Sequence, residues 1–173
     1  MLRLNQDRAL IFRITHVRNL AWILDHGLHY KNSAQQDPDF VTIGSPDLIA
    51  KRPSRCVPVH PGGTLADYVP FYFTPCSPML YNIRTGYNGI AQWPMSDIVI
   101  LVTSLYELNR REVIYLYTDR HAYLQSARFF DALGQLAEID WGLLEARDFA
   151  YSPDDPGKME RYQAEALVYR HMP

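Results

Sequence analysis

The stretch that decides the fold is "DYVPFYFTPCSPMLY", residues 67–81, which carries five aromatic rings and three prolines in fifteen positions. Tyrosine and phenylalanine favour strands, whereas each proline fixes φ and removes a backbone donor. We therefore predict a short strand around Phe71–Phe73, followed by a rigid loop that turns at Pro75 and Pro78. A stiff loop with several rings and a methionine forms either a plug of the core or the wall of a binding site.

The composition is that of an ordinary globular protein, and residues 1–173 are long enough for one domain with a real core. The chain is 47% hydrophobic and 21% charged, with a formal net charge of −2. A near-neutral charge argues against a large basic surface for nucleic acid, although a local groove can still be basic. Cys56 and Cys76 form no CxxC pattern, and neither a signal peptide nor a membrane-length apolar run is evident. We expect a cytoplasmic protein with reduced cysteines and no membrane association.

Hydrophobic patterns along the rest of the chain predict strands and helices that alternate without a regular βαβ rhythm, which indicates the α+β class. Two polar, turn-rich segments, 31–46 and 140–160, are predicted to be long loops, which in compact domains are often functional. The predicted strands are 9–15, 97–104, 113–118 and 162–170, and the predicted helices are 16–28, 47–52 (one turn), 104–111 and 122–137.

Glu165 and Gln163 lie two positions apart in the predicted last strand, so both are expected on one face of it. The alternating residues Ala164, Ala166 and Val168 are apolar. A carboxylate among apolar neighbours needs a partner if it is buried. From the residues alone, Glu165 is either an edge-strand surface residue or part of a site.

His16, Arg52 and Arg55 are further candidates for binding. His16 stands where a strand gives way to a helix, and it serves either as a cap or as a contact to a nucleotide. The two arginines follow the first polar loop, and each is either solvated or a ligand for phosphate. The six histidines show neither HExxH nor other tight ligand spacing, so no metal site is predicted. Likewise, GxGxxG, P-loop and nucleophile-elbow motifs are missing from the sequence.

Four blocks taken together resemble a known family. They are "RITHVRNLAWILDHGL" (13–28), "GGTLADYVPFYFTPCSPMLY" (62–81), "TDRHA" (118–122) and "YQAEALVYRHMP" (162–173). In this order they closely resemble the DarT family, the toxin half of the DarT–DarG toxin–antitoxin system. Members use NAD to ADP-ribosylate a base, typically thymidine, in single-stranded DNA. The resemblance implies an ADP-ribosyltransferase-like fold, with a mixed or antiparallel sheet split around an NAD cleft and flanked by helices.

The resemblance also implies roles for individual residues. Glu165 matches the catalytic glutamate, which holds a ribose hydroxyl of NAD and stabilises the charge that forms as nicotinamide leaves. Thr15 and His16 match the segment that contacts NAD. The arginine that grips NAD and assists proton removal at the base matches Arg52, with Arg55 as a rival because the loop spacing varies.

The resemblance also implies roles for residues of the aromatic stretch 67–81. Tyr72 and Met79 are expected to line the cleft where nicotinamide and the target base meet, while Phe71 and Phe73 serve the core. His121 matches a residue near the start of the loop that presents DNA. Stacking of bases on rings is sequence-tolerant and needs no net positive charge.

The expected reaction is a direct transfer that uses NAD as co-substrate and needs no metal. The expected partners are single-stranded DNA and a cognate DarG-type macrodomain antitoxin. Similar chains continue with another strand or two beyond the "VYRHMP" block, so the resemblance implies that C-terminal strands are lacking here. The alternatives are an ADP-ribosyltransferase acting on guanosine or RNA, and a catalytically silent module that binds nucleic acid or antitoxin.

Overall fold

The computed structural model describes residues 3–173. The strands are β1 Leu10–His16, β2 Leu28–His29, β3 Tyr68–Tyr72, β4 Ile98–Ser104, β5 Tyr115–Thr118, β6 Phe129–Phe130, β7 Glu165–Tyr169 and β8 His171–Met172. They form a six-stranded antiparallel sheet in the order β4-β1-β3-β7-β5-β6 and a separate pair, β2-β8. The α-helices are α1 Leu20–His26, α2 Pro46–Lys51, α3 Pro78–Thr85, α4 Leu105–Arg110, α5 Trp141–Ala146 and α6 Lys158–Arg161. Short 3₁₀ turns span Val17–Asn19, Arg52–Ser54, Leu65–Asp67, Tyr87–Gly89, Met95–Asp97 and Leu133–Glu138.

The large sheet is split between β1 and β3. β1 pairs with β4 along its whole length, and β3 pairs with β7 along its whole length. Between β1 and β3, in contrast, the register pair is Phe12 with Tyr72 alone among the described residues. The Arg13 Nη1 crosses this gap and donates a 2.7 Å hydrogen bond to the carbonyl of Pro70. Because Pro70 has no N–H group, the strand that carries it offers one donor fewer to a ladder.

The aromatic stretch supplies the centre of the core, as predicted. Phe71 and Phe73 are buried, and the Phe73 ring packs edge-on against Trp141 at 5.4 Å and Tyr117 at 6.0 Å between centroids. Their neighbour Tyr72 lies on the other face of β3. Period-two alternation therefore separates the core-forming rings from the ring that is available to a site.

The strands predicted at 9–15, 97–104 and 113–118 are confirmed as β1, β4 and β5, and the helix predicted at 104–111 is confirmed as α4. The last strand is shorter than predicted, since β7 begins at Glu165. The Gln163 and Ala164 amides donate to the carbonyls of Glu160 and Arg161 in a helical turn. The prediction that Gln163 shares a strand face with Glu165 is therefore wrong.

The helix predicted at 122–137 is wrong as well. Its apolar positions are buried or half-buried, but they belong to turns, to β6 and to a 3₁₀ turn. The Asp119 carboxylate anchors this segment outside a helix by accepting hydrogen bonds from the Arg128 amide (3.1 Å) and the Arg128 Nε (3.0 Å). Phe130 then pairs with Tyr117 of β5. These tertiary contacts override the helical period.

The end of the aromatic stretch, residues 78–81, is predicted to belong to a rigid loop, but it forms the first half of α3. The Ser77 side chain accepts a hydrogen bond from the Leu80 amide, and Pro78 occupies the first turn. Gly86, with φ of 73°, ends the helix in the left-handed conformation. Serine at N-cap, proline at N1 and glycine at C′ are helix signals that outweigh the strand propensity of the flanking rings.

Candidate active site

Glu165 is the first residue of β7, and its carboxylate is buried, with 3% of the side chain exposed. Its Oε1 accepts a 3.1 Å hydrogen bond from the Ala122 amide, and its Oε2 lies 3.0 Å from the Arg52 Nη1. The Glu165 amide in turn donates to the Thr118 hydroxyl at 3.2 Å. Since burying a charge without a partner is costly, this array of donors explains how the carboxylate can stay inside.

Arg52 reaches Glu165 from the 3₁₀ turn that follows α2. Its Nε donates to the Leu65 carbonyl at 3.2 Å, and its Nη1 pairs with Glu165. The rival Arg55 points elsewhere: it donates to Leu124 and Gln125, and its guanidinium lies 5.6 Å from the Phe129 ring centroid. The structure thus brings Arg52 to the carboxylate and uses Arg55 to fasten the segment after His121.

Tyr72 stands directly opposite Glu165 in the β3–β7 register. Its hydroxyl donates to the Met79 sulfur at 3.6 Å, which places the first turn of α3 beside the Tyr72 ring. Burial, and secondly the charge of Glu165, raises the pKa of the Tyr72 phenol. Tyr72 is therefore a neutral hydrogen-bond donor at neutral pH and cannot act as a base.

His121 lies on the other side of the carboxylate, with its Nδ1 3.3 Å from Glu165 Oε1. The same nitrogen is 3.2 Å from the Tyr123 amide, from which it accepts a hydrogen bond. A neutral ring cannot accept from Tyr123 and donate to Glu165 through one nitrogen, so the contact becomes an ion pair only when His121 is protonated.

Thr15 and His16 end β1, beyond the split. The His16 Nδ1 accepts from the Arg18 amide at 3.1 Å, which leaves Nε2 as the proton-bearing nitrogen of the neutral ring. The ring packs edge-on against Trp93, with 4.7 Å between centroids. Trp93 and Met79 belong to the same apolar cluster. His16 thus contacts Trp93, and Tyr72 contacts Met79, over one shared apolar cluster.

Several donors of the site residues and their neighbours are buried and have no hydrogen-bond partner within residues 3–173. They are Arg52 Nη2, His16 Nε2, Trp93 Nε1 and Arg13 Nε. Buried N–H groups without a partner are rare in folded proteins, and they favour a ligand rich in acceptor oxygens. Burial, and next the nearby Arg52, lowers the pKa of the Arg13 guanidinium.

Sequence reasoning missed four contributors to the site. The Ala122 amide is a backbone group, which residue type does not reveal. The sequence does not reveal Arg13 and Trp93 as site residues, because their positions at the site depend on the split between β1 and β3 and on the fold of α3. Asn19 alone carried a signal, since it follows Thr15 by four residues at a helix start.

Asn19 fastens the first polar loop over the Thr15 end of the site. Its Nδ2 donates to the Thr15 hydroxyl (3.1 Å) and the Val41 carbonyl (2.9 Å), and its Oδ1 accepts from the Val41 amide at 2.8 Å. Asn19→Ala leaves the two Val41 backbone groups unpaired, and we expect it to lower the free energy of unfolding by about 1–3 kcal/mol. Urea denaturation measures this loss, and limited proteolysis should show faster cleavage within 31–45. The exposed Asn32 in the same loop gives the matched control, Asn32→Ala; equal behaviour of the two variants would contradict the clamp.

Comparison with solved structures defines the class of protein. The chain superposes on Thermus sp. 2.9 DarT in complex with ADP-ribosylated single-stranded DNA with a TM-score of 0.87 at 37% identity, covering 100% of this chain and 80% of that one. The complex of Thermus sp. 2.9 DarT with NAD+ matches with a TM-score of 0.79 at 36% identity, covering 96% and 78% of the two chains. The fold is that of an ADP-ribosyltransferase, which confirms the predicted α+β class.

Sequence comparisons are more specific. The family described as "DarT: ssDNA thymidine ADP-ribosyltransferase" matches residues 12–173. A DNA ADP-ribosyl transferase of Escherichia coli O127:H6 is 52% identical over 170 residues, 98% of this chain and 78% of the relative. A Thermus sp. (strain 2.9) protein of the same name is 39% identical over 100% of this chain and 80% of its own length. The chain belongs to the DarT family of single-stranded DNA thymidine ADP-ribosyltransferases, an enzyme class that uses NAD as co-substrate.

Two further observations concern residues 3–173. Their histidine, cysteine, aspartate and glutamate side chains form no cluster of three or more that could hold a metal ion. Their helices are all too short or too polar to cross a membrane.

Proposed function

We propose that this protein transfers ADP-ribose from NAD to the thymine base of single-stranded DNA, and that residues 1–173 act as one transferase domain. The observation that carries the proposal is the buried Glu165 carboxylate, which is held by Arg52 and the Ala122 amide opposite Tyr72. Family membership and the relatives named as DNA ADP-ribosyl transferases support it.

Thr15, His16, Arg52 and Tyr72 are the residues proposed to bind NAD, and Glu165 and Arg52 are the residues proposed to act in catalysis. The unpartnered His16 Nε2 and Arg52 Nη2 are suited to acceptor oxygens of a dinucleotide. Tyr72, a neutral phenol on the β3 face opposite Phe71, offers a ring and a donor beside the nicotinamide end. Thr15 contributes through its hydroxyl, which Asn19 orients.

In the proposed reaction, the bond between nicotinamide and the anomeric carbon of the ribose breaks first. The Glu165 carboxylate stabilises the positive charge that develops on the ribose, since a fixed anion in a water-poor site acts more strongly than in water. A ring nitrogen of thymine then bonds to the anomeric carbon and loses its proton. Arg52 assists the removal of this proton from the base. Nicotinamide leaves neutral, so one proton is released in each turnover.

Met79 and His121 are proposed to contact the DNA strand. They flank the carboxylate from opposite sides, Met79 through Tyr72 and His121 directly. Stacking and apolar contacts give about 1–3 kcal/mol per base, so a chain with a net charge of −2 can still bind a single strand.

The biological setting is also part of the proposal. Family membership supports a cytoplasmic toxin whose partner is a DarG-type macrodomain antitoxin. Such an enzyme would be harmful to its host unless a partner restrains it or reverses the modification.

Mass spectrometry of oligonucleotides tests the function. Purified protein, NAD and a set of single strands, each containing one thymidine, guanosine or uridine in an otherwise fixed context, should yield an ADP-ribose adduct on the thymidine DNA strand. The Glu165→Gln protein in parallel controls for contaminating activity. An adduct on guanosine or RNA alone, or strand binding without any adduct, would replace the proposal by one of its alternatives.

A further inference from the structure

An exposed aromatic ridge runs along the outer side of α3. It consists of Tyr81, Arg84 and Tyr87, which we call the α3 ridge. Tyr81 and Tyr87 are 53% and 58% exposed, and their ring centroids lie 6.2 Å apart in an edge-on arrangement. The Arg84 guanidinium lies 5.9 Å from the Tyr81 centroid. Large rings exposed together call for a partner more than rings that are exposed singly.

The charge around the ridge points to the kind of partner. Residues 68–96 contain no aspartate or glutamate, although the chain has 19 such residues. Two other exposed rings, Phe149 and Tyr151, lie in segment 148–155, which contains three aspartates. A segment that has no acidic residue and exposes rings and a guanidinium is complementary to a polyanion with aromatic bases, whereas the acidic segment 148–155 repels such a polyanion.

Buried residues and a backbone hydrogen bond beneath α3 hold the α3 ridge in place. Ile83 and Ile90 are buried in the cluster under α3, and the Trp93 amide donates to the Ile83 carbonyl at 3.1 Å. Gly86, with φ of 73°, turns the chain sharply between Arg84 and Tyr87. Rings held in advance lose little conformational freedom when a base stacks on them.

The ridge is also adjacent to the site. Met79, which touches Tyr72, lies in the first turn of the helix that carries Tyr81. At 1.5 Å rise per residue, Tyr81 is about 3 Å further along the axis and on the opposite side of the helix. A strand whose target base enters beside Met79 therefore meets the ridge as it leaves around α3.

We propose that the α3 ridge is a binding site for the nucleotides next to the target thymidine, where bases stack on Tyr81 and Tyr87 and Arg84 pairs with the phosphodiester backbone. The inference rests on the proposed function and adds the path of the strand outside the catalytic cleft. Because every base has an aromatic face, the ridge contributes affinity without reading sequence.

Fluorescence anisotropy with labelled single-stranded DNA tests the ridge. In the Glu165→Gln background, which prevents turnover, Tyr81→Ala/Tyr87→Ala should weaken binding of a twelve-nucleotide strand by about 30-fold or more. Tyr81→Phe/Tyr87→Phe should retain the affinity, because the rings remain. Arg84→Gln should reduce the slope of log Kd against log salt by the amount that corresponds to the loss of about one phosphate contact. Tyr151→Ala, which removes the other highly exposed ring, should leave Kd unchanged.

The length of the strand separates this inference from the proposed function. With the catalytically active protein, the alanine pair should raise KM for the long strand and leave both kcat and the KM for NAD unchanged. The shortest strand that is still modified should show no effect. Equal Kd values for the alanine pair and the parent protein would overturn the ridge while thymidine modification still stood. Failure of the parent protein to modify thymidine would overturn the function, and the anisotropy result would still decide whether the ridge binds DNA.

Discussion

The Glu165→Gln variant is expected to lose thymidine ADP-ribosylation by about 10²–10³-fold or more while it keeps its fold and its affinity for NAD. Glutamine has the same shape and can still accept the hydrogen bond from the Ala122 amide, so the substitution removes mainly the charge. A fixed charge aimed at charge development in the transition state contributes to the rate rather than to ground-state binding. The single-turnover rate of adduct formation and the Kd for NAD by calorimetry separate these two effects.

The exposed Glu145 of α5 supplies the matched control. Glu145→Gln makes the same chemical change at an exposed position on α5, and both the transfer rate and the Kd should equal those of the parent. If Glu165→Gln transferred ADP-ribose within tenfold of the parent rate, the role assigned to the carboxylate would be wrong. If it lost NAD affinity in proportion to the rate, the charge would serve binding instead.

The second large effect concerns the Arg52–Glu165 pair, and it is seen in stability as well as activity. Arg52→Ala leaves a carboxylate that is 3% exposed without its cationic partner, and we expect a loss of about 3–5 kcal/mol in the free energy of unfolding. Transfer should vanish too, because Arg52 also supplies the unpartnered Nη2 to the site. Arg52→Ala/Glu165→Gln removes the unpaired charge, so it should recover most of the stability and none of the activity.

Denaturant unfolding of the four proteins of this double-mutant cycle gives the coupling energy directly. Arg55→Ala is the control, since it removes an arginine of the same segment but leaves the ion pair in place, and it should cost only about 1 kcal/mol. Equal destabilisation in Arg52→Ala and in the double variant would show that Arg52 acts through its packing and not through the charge of Glu165. Activity in either protein would contradict the proposed mechanism.

The α+β class, the strands on both sides of the split and the family could be predicted from the sequence because each rests on a local pattern. Alternating rings around Phe71 mark a strand whatever surrounds it, and "SPMLY" with "QAE" is a distinctive combination. The helix predicted at 122–137 failed because its apolar period is also satisfied by a strand followed by a 3₁₀ turn, once Asp119 captures Arg128.

The arrangement of the site was only partly predictable. That Glu165 needs a cationic partner follows from its chemistry, but the choice between Arg52 and Arg55 depends on where two turns meet across the sheet. The Ala122 amide, Arg13 and Trp93 enter through contacts between segments far apart in the chain. The catalytic and binding roles given to Glu165, Arg52 and their neighbours stay predictions until the variants are measured.

The narrow join between β1 and β3 has a mechanical consequence. Within the large sheet, one ladder pair and one Arg13 side chain join the strand that carries Thr15 and His16 to the strands that carry Tyr72 and Glu165. The backbone ladder at this seam therefore resists a change in its width less than the full ladders on either side of it. NAD bound across this seam would add contacts between its two sides and so stiffen the whole sheet. Binding of NAD would in this way prepare the site for the DNA strand.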